Sequence, residues 1–328
     1  MNILFIGGTG NISSACTACL HEQGHRITVV TRGTKPVPAS YTAVAADRHD
    51  ETAMKTALTG MDIDVAIDFT GFVPEDVEQD YRLFNGRVRQ FIFISSATVY
   101  SKPPKKLPIT ESMPVGNPFL RYAQNKEACE SFLMRQYNDN GFPVTIVRPS
   151  HTYSPQWIPN QVSSGDYTLA ARLEQNKPVF VVGDGQNLWT LTAASDFATG
   201  FAGLIGKDEA IGETFHITSD QALTWNQIYT EIAWACGVRK PNIVPVPMDF
   251  LEEHFPEFAT KMKGDKAQHA VFDNAKIKRA VPEFECQKST RQGLREAVNW
   301  YRTDPARKTV HPDTDKVFND ILAAFEKS

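Results

Sequence analysis

The chain opens on an unbroken apolar run, residues 3–6, that stops at Gly7-Gly8-Thr9-Gly10. Such a run suits a strand covered on both faces. Residues 12–23 then change to helical spacing and end at Gly24, which predicts a strand, a tight turn and a helix in succession. The alternation continues, with further strands predicted over 26–31, 41–46, 64–68, 90–96 and 143–148. Strands separated by helices give a parallel, doubly wound α/β sheet of the Rossmann kind.

After Pro149 the pattern loosens. Ser154-Pro155, Ile158-Pro159 and Ser163-Ser164-Gly165 mark a long irregular passage across the strand ends, where binding loops belong. A short strand is predicted over 179–182, a helix over 194–204, and a strand over 214–218 that rejoins the sheet. Helices over 224–236, 248–255 and 289–302, with a strand over 243–246, make a small mixed α/β lobe. The expected organisation is therefore a nucleotide-binding domain over 1–150 with return segments near 190–220. A substrate-binding lobe takes 151–189 and 221–328.

The first turn carries the spacing Gly7-x-x-Gly10-x-x-Ser13, a dinucleotide fingerprint whose last glycine is a serine. Glycines there let the backbone approach a pyrophosphate, whose charge meets the free N–H groups at the helix start. Serine is small enough to keep helix and strand close. The second strand ends in Thr31-Arg32-Gly33 rather than in a carboxylate, so Arg32 is expected to favour NADP over NAD. Asp47 ends the third strand, placed to accept from an adenine amino group, and Phe69-Thr70-Gly71 forms another small-residue turn at the same edge.

Length and charge narrow the class. At 328 residues the chain exceeds one simple core. Its net charge of −4, with signs interspersed, argues against a nucleic-acid surface, and its apolar runs fall short of a bilayer span. The five scattered cysteines fit reduced thiols in a cytoplasm, and Cys16 and Cys19, a C-x-x-C inside the first helix, are expected to pack against the sheet rather than bind metal.

Two stretches carry candidate chemistry: Ser95-Ser96-Ala97-Thr98-Val99-Tyr100 after the fifth strand, and Arg121-Tyr122-Ala123-Gln124-Asn125-Lys126 opening a long helix. Tyr122 and Lys126 stand four apart, on one helical face. A nearby ammonium and a nicotinamide cation are expected to lower the phenol pKa toward the working range. Ser96 is placed to hold the substrate oxygen.

With the first-turn motif, Asp47-Arg48, Arg148-Pro149, Asp196 and Asp273-Asn274-Ala275-Lys276-Ile277, these stretches resemble the extended short-chain dehydrogenase/reductases of the NAD-dependent epimerase/dehydratase family. The resemblance covers nearly the whole chain. It implies that Tyr122 is the acid/base, that Lys126 lowers its pKa and holds the nicotinamide ribose, and that Ser96, helped by Thr98, orients the reacting carbonyl or alcohol. It further implies cofactor contacts from Gly7, Thr9, Gly10, Asn11, Ile12, Arg32, Asp47, Arg48, Phe69, Thr70, Gly71, Ser95, Pro149 and His151. Substrate contacts are implied for Ser96, Thr98, His151, Tyr153 and Trp189, with no metal.

Departures from the family pattern inform the reaction. Dehydratases carry Asp-Glu where this chain has Ala97 and Thr98, the pattern of 4-epimerases. His151 takes the place of a common Asn, as a substrate ligand or second acid/base or as a loop histidine with no chemical task. Trp189 takes the place of the arginine that clamps a sugar diphosphate, as a substrate platform or as lobe packing; Arg172, Arg279 and Arg291 are candidates for the missing charge. His216 is expected to be a hydrogen-bonded core residue. The expected activity is NAD(P)-dependent hydride transfer at a secondary alcohol of a sugar-like substrate, chiefly nucleotide-sugar epimerisation through a ketone. Alternatives are an NADPH-dependent ketone reductase acting on a substrate without a diphosphate, and a non-catalytic dinucleotide- or RNA-binding relative. The resemblance also implies a homodimer through the helix bearing Tyr122, whose apolar residues Phe132, Leu133 and Met134 either permit pairing or belong to the core.

Overall fold

The computed structural model describes residues 1–163 and 165–328; Ser164, within the irregular passage expected after Pro149, lies outside the described residues. Its strands are β1 (Asn2–Ile6), β2 (Arg26–Thr31), β3 (Thr42–Ala45), β4 (Val65–Asp68), β5 (Gln90–Ile94) and β6 (Val144–Pro149), followed by β7 (His151–Tyr153), β8 (Val179–Val182), β9 (Leu188–Ala193), β10 (Thr214–Ile217), β11 (Ala222–Thr224) and β12 (Ile243–Val246). Seven of them form one sheet in the order β3-β2-β1-β4-β5-β6-β10, with every pairing parallel. The order reverses between β1 and β4. Ligands of such sheets bind outside the carboxyl ends of the strands at that reversal.

The apolar run of β1 is explained by its two faces. Ile3 and Phe5 join a core with Cys16 and Leu20 of α1 (Ser13–Glu22) and with Phe197 and Phe201 farther along the chain. Leu4 and Ile6 point the other way. They pack with residues of α2 (Glu51–Ala57), α3 (Pro74–Phe84) and α4 (Arg121–Asn140), among them Met54, Val77, Leu83, Cys129 and Leu133. Each such side chain, fully removed from water, contributes about 1.5–3 kcal/mol of transfer free energy. Cys16 is wholly buried in this packing.

The lobe has its own core, built on α5 (Thr168–Glu174), β8 and α7 (Trp225–Ala235), where Phe180, Trp225, Tyr229 and Ile232 meet. Between these helices α6 (Ala194–Ala202) returns to pack on α1, and β10 pairs with β6. Two small sheets, β11-β9-β7 and β12-β8, complete it. The remaining helices are α8 (Met248–His254), α9 (Pro256–Gly264), α10 (Ala275–Ala280), α11 (Thr290–Arg302) and α12 (Pro312–Phe325). Not all of 221–328 belongs to the lobe. Ile277 of α10, with Val281 and Phe284 after it, packs in the sheet core with Ile217 and Phe197. The strand expected over 90–96 ends at Ile94, because Ser96 caps a short turn, Ala97–Val99, by accepting from the Thr98 amide.

Candidate active site

β1 delivers Gly7 to the carboxyl edge of the sheet beside β4. Its φ is 84°, and a Cβ there would stand 2.3 Å from Thr70 Cγ2. Only glycine lets this turn pass so close to the loop after β4. Ser13 closes the turn differently from a third glycine: its hydroxyl accepts from the Gly10 amide at 2.8 Å. Its own proton stays available to an anion beside the free N–H groups that start α1.

A cleft of about 600 Å³ runs from this turn to the lobe, lined at its near end by Gly7, Gly10, Asn11, Ile12, Phe69 and Thr70. Asn11 bridges the two sides, its Nδ2 donating to the Thr152 carbonyl at 2.8 Å. Asn11 Oδ1 and Ser95 Oγ are buried without a hydrogen-bond partner among the described residues, and both residues line the cleft. Buried polar atoms are normally paired, so these two fit a polar ligand laid along the glycine edge.

Ser96, Tyr122 and Lys126 all line the cleft. Ser96 Oγ accepts from the Thr98 amide at 3.2 Å and from Thr98 Oγ1 at 2.9 Å, which leaves the serine proton free to donate. Lys126, on α4 one turn after Tyr122, is 1 % exposed. Its Nζ donates to the carbonyls of Gly71 at 2.7 Å and Ile94 at 2.6 Å, and stands 4.9 Å and 4.7 Å from the rings of Phe72 and Phe93. Burial pulls its pKa down to about 8, against the opposing charge of Asp68. One of three N–H donors remains for a ligand hydroxyl.

The phenol departs from expectation. Tyr122 keeps 44 % of its surface open, yet removal from bulk water raises its pKa, with the Ser96 hydroxyl pulling the other way. Lys126 Nζ is 6.0 Å from the ring centre and is directed at backbone carbonyls. Burial is the largest influence on the phenol, and the Lys126 charge is not among those that lower its pKa.

On the lobe side, Trp189 Nε1 donates to His151 Nδ1 at 3.1 Å, which puts the imidazole proton on Nε2. Burial, reinforced by the Lys266 charge, lowers the His151 pKa to about 3. A ring that stays neutral across the working range is poorly suited to cycle as a second acid/base. Trp189 is 4 % exposed and packs on Trp225 with centroids 5.4 Å apart. It is at once lobe packing and cleft wall.

A family model for the NAD dependent epimerase/dehydratase family matches residues 3–218. The chain belongs to that family. Among its relatives, the 2'-dehydrokanamycin reductase of Streptomyces kanamyceticus is 26 % identical over 287 residues, 87 % of this chain and 80 % of the relative. The chloroplast stem-loop binding protein of 41 kDa b of Arabidopsis thaliana is 27 % identical, covering 98 % of this chain and 83 % of that one. The fold is also that of the UDP-glucose 4-epimerase of Thermotoga maritima, with a TM-score of 0.73 at 20 % identity, covering 92 % of this chain and 99 % of the other. As a member of this family the chain is an enzyme of the extended short-chain dehydrogenase/reductase type, and none of its described helices is long and apolar enough to cross a membrane.

Several residues assigned by the family resemblance lie elsewhere. Arg48 is buried away from the cleft, donating to Asp68 Oδ2 at 2.8 Å, Asp80 Oδ1 at 3.1 Å and Thr70 Oγ1 at 3.2 Å. Its guanidinium ties β4 to α3 through these carboxylates. Tyr153 turns from the cleft: it is buried against α11, where a Cβ on Gly293 would stand 1.9 Å from its hydroxyl. Thr9, Arg32, Asp47 and Gly71 are not in the cleft lining; Arg32 and Asp47 are exposed at the ends of β2 and β3, and Gly71 contributes its carbonyl to Lys126. Arg172 is paired with Asp315 at 2.6 Å, Arg291 with Glu231 at 2.7 Å, and Arg279 is exposed, so none of the three reaches the cleft. His216 is a core residue, bonded to the Tyr100 hydroxyl at 3.1 Å and the Asp273 carbonyl at 2.7 Å.

Sequence reasoning missed Lys102, Trp157, Asp265, Lys266 and Phe272, all of which line the cleft. No spacing rule joins them. Loops from distant parts of the chain bring them together.

Proposed function

We propose that this enzyme reduces a ketone, or oxidises the corresponding secondary alcohol, on a sugar-like substrate that carries no arginine-clamped diphosphate. What supports the reading is the convergence of Ser96, Tyr122 and Lys126 on a cleft that also takes in the glycine turn. A nicotinamide dinucleotide, when bound, supplies or takes up the hydride. Gly7, Gly10, Asn11, Ile12 and Ser13 would hold its pyrophosphate, Phe69 and Thr70 its adenosine side with Asp47 at the strand end, Lys126 its inner ribose, and Ser95, Pro149 and His151 its nicotinamide. Tyr122 gives its proton to the substrate oxygen in the reducing direction and takes one in the other. Ser96 donates to that same oxygen and stabilises charge as it grows there.

Three observations favour reduction without a diphosphate. Burial raises the phenol pKa, which keeps its proton available to a ketone oxygen. Among the described residues no arginine lines the cleft. A relative is named for reducing 2'-dehydrokanamycin. NADP is the preferred cofactor in this reading, because Arg32 is exposed at the end of β2 with no carboxylate there to repel a phosphate.

Nucleotide-sugar epimerisation is the second reading, favoured by Ala97 and Thr98 in the places where dehydratases carry an acid pair and by relatives named UDP-glucose 4-epimerase. Turnover separates the two. A reductase consumes NADPH one for one with product, whereas an epimerase converts many substrates per bound cofactor with none consumed. Wild type and Tyr122→Phe that behave identically in both assays would instead support a binding role such as that named for the stem-loop relative. A homodimer through α4, with Phe132 and Met134 partly buried on that helix, belongs to the same reading, and sedimentation measures it.

A further inference from the structure

The far end of the cleft holds ionisable side chains that the reacting trio does not use: Lys102, in the loop after the Ala97–Val99 turn, and Asp265 and Lys266, just after α9. Lys266 Nζ donates to the Asn160 carbonyl at 2.9 Å, a neutral acceptor, which leaves two of its N–H groups. Lys102 has no hydrogen-bond acceptor and no ion pair among the described residues, and the charge that favours its protonation is that of Asp265. Asp265 is also the one carboxylate among the described cleft residues, set against Lys102, Lys126 and Lys266. Burial lowers the pKa of both Lys102 and Lys266 and raises that of Asp265, so all three charges are poorly solvated here.

From this arrangement, and resting on the sugar-reductase reading above, we infer that the substrate bears an anionic oxygen group, a carboxylate or a phosphate, which seats between Lys102 and Lys266. Ammonium donors bind either group as charge-assisted hydrogen bonds, strongest where water is scarce. Asp265 favours the charged form of both lysines and accepts from a neighbouring sugar hydroxyl. The indoles of Trp157 and Trp189 offer apolar surface to the sugar ring. A cationic amino sugar, such as the one in the reductase relative's name, would meet two ammoniums for one carboxylate, so the inference departs from that relative in the charge of the substrate.

The test uses the whole protein saturated with NADP and four probes in calorimetric titration: glucose 6-phosphate, glucuronate, glucose and glucosamine. Glucose 6-phosphate or glucuronate is expected to bind about tenfold or more tighter than glucose, with glucosamine weakest, and the better of the two names the oxyanion. Lys102→Glu and Lys266→Glu should each remove that preference, and the arginine replacements should keep most of it. Equal affinity for charged and neutral probes, no anion binding at about 10 mM, or charge-reversed variants that keep the preference would each overturn the inference. NADPH fluorescence in every variant reports cofactor uptake separately. Loss of uptake in wild type sinks the reductase reading, whereas normal uptake without charge preference sinks only this inference.

Discussion

The two walls of the cleft are built on opposite plans. The sheet wall takes its groups from strand ends and from α4, and the charges in it and just behind it are satisfied before any ligand arrives: Arg48 is spent on Asp68 and Asp80, and Lys126 is anchored on two carbonyls. The lobe wall gathers Lys102, Trp157, Asp265 and Lys266 from loops far apart in the chain and Trp189 from β9, and its lysines outnumber its carboxylate. A wall that must hold one invariant cofactor gains from fixed geometry, since positioning lowers the entropy cost of reaction. The other wall discriminates among substrates by leaving charge uncompensated.

Tyr122→Phe breaks the sheet wall at its reacting atom. We expect kcat to fall about 10²- to 10⁴-fold while NADPH binding is retained, because only the proton donor is lost. A variant with near-normal turnover would remove Tyr122 from the chemistry. Arg48→Met attacks the same wall from behind, stranding Asp68 and Asp80 in the core. Asp80 is already held well above the usual carboxylate range by burial and by Asp68. A loss of about 3–5 kcal/mol in urea unfolding is expected, whereas a surface-like change below about 1 kcal/mol would mean the cluster is not holding β4 to α3.

Lys126 gives a pH signature. Its folded pKa, lowered to about 8 by burial, lies below the ordinary lysine value, so between these two pH values the unfolded chain binds more protons than the folded one. Stability should therefore rise with pH from about 8 to 10 relative to Lys126→Met, a contribution that is absent at pH 7. A flat difference between the two proteins across that range would show the ammonium is better solvated than the structure indicates. The smallest effect belongs to the outer rim. Arg32→Ala should weaken NADP about tenfold and leave NAD nearly unchanged, and equal losses for both would remove Arg32 as the reader of the ribose phosphate.

Much of the sheet wall was legible because its signals are local. The run before Gly7, the Gly7-x-x-Gly10-x-x-Ser13 spacing and the Tyr122/Lys126 pair all lie within a turn or two of chain, and the structure brings the glycine turn and the pair to the cleft. Arg48 shows the limit even there: its neighbour Asp47 marks a strand end, but only packing reveals three carboxylates behind it. The phenol shows a related limit. Helical spacing brings Lys126 near Tyr122, but where the ammonium points is set by the carbonyls of Gly71 and Ile94, contributed by other elements.

The amino-acid order alone determined a doubly wound sheet, its glycine edge and the pair of residues on α4, because these follow from periodicity and from steric rules acting over a few residues. Tertiary structure alone decided which charges are neutralised and which face the cleft. Desolvation and ion pairing depend on neighbours contributed by Lys102, Asn160, Trp189 and Asp265, and no period in the sequence sets those residues side by side.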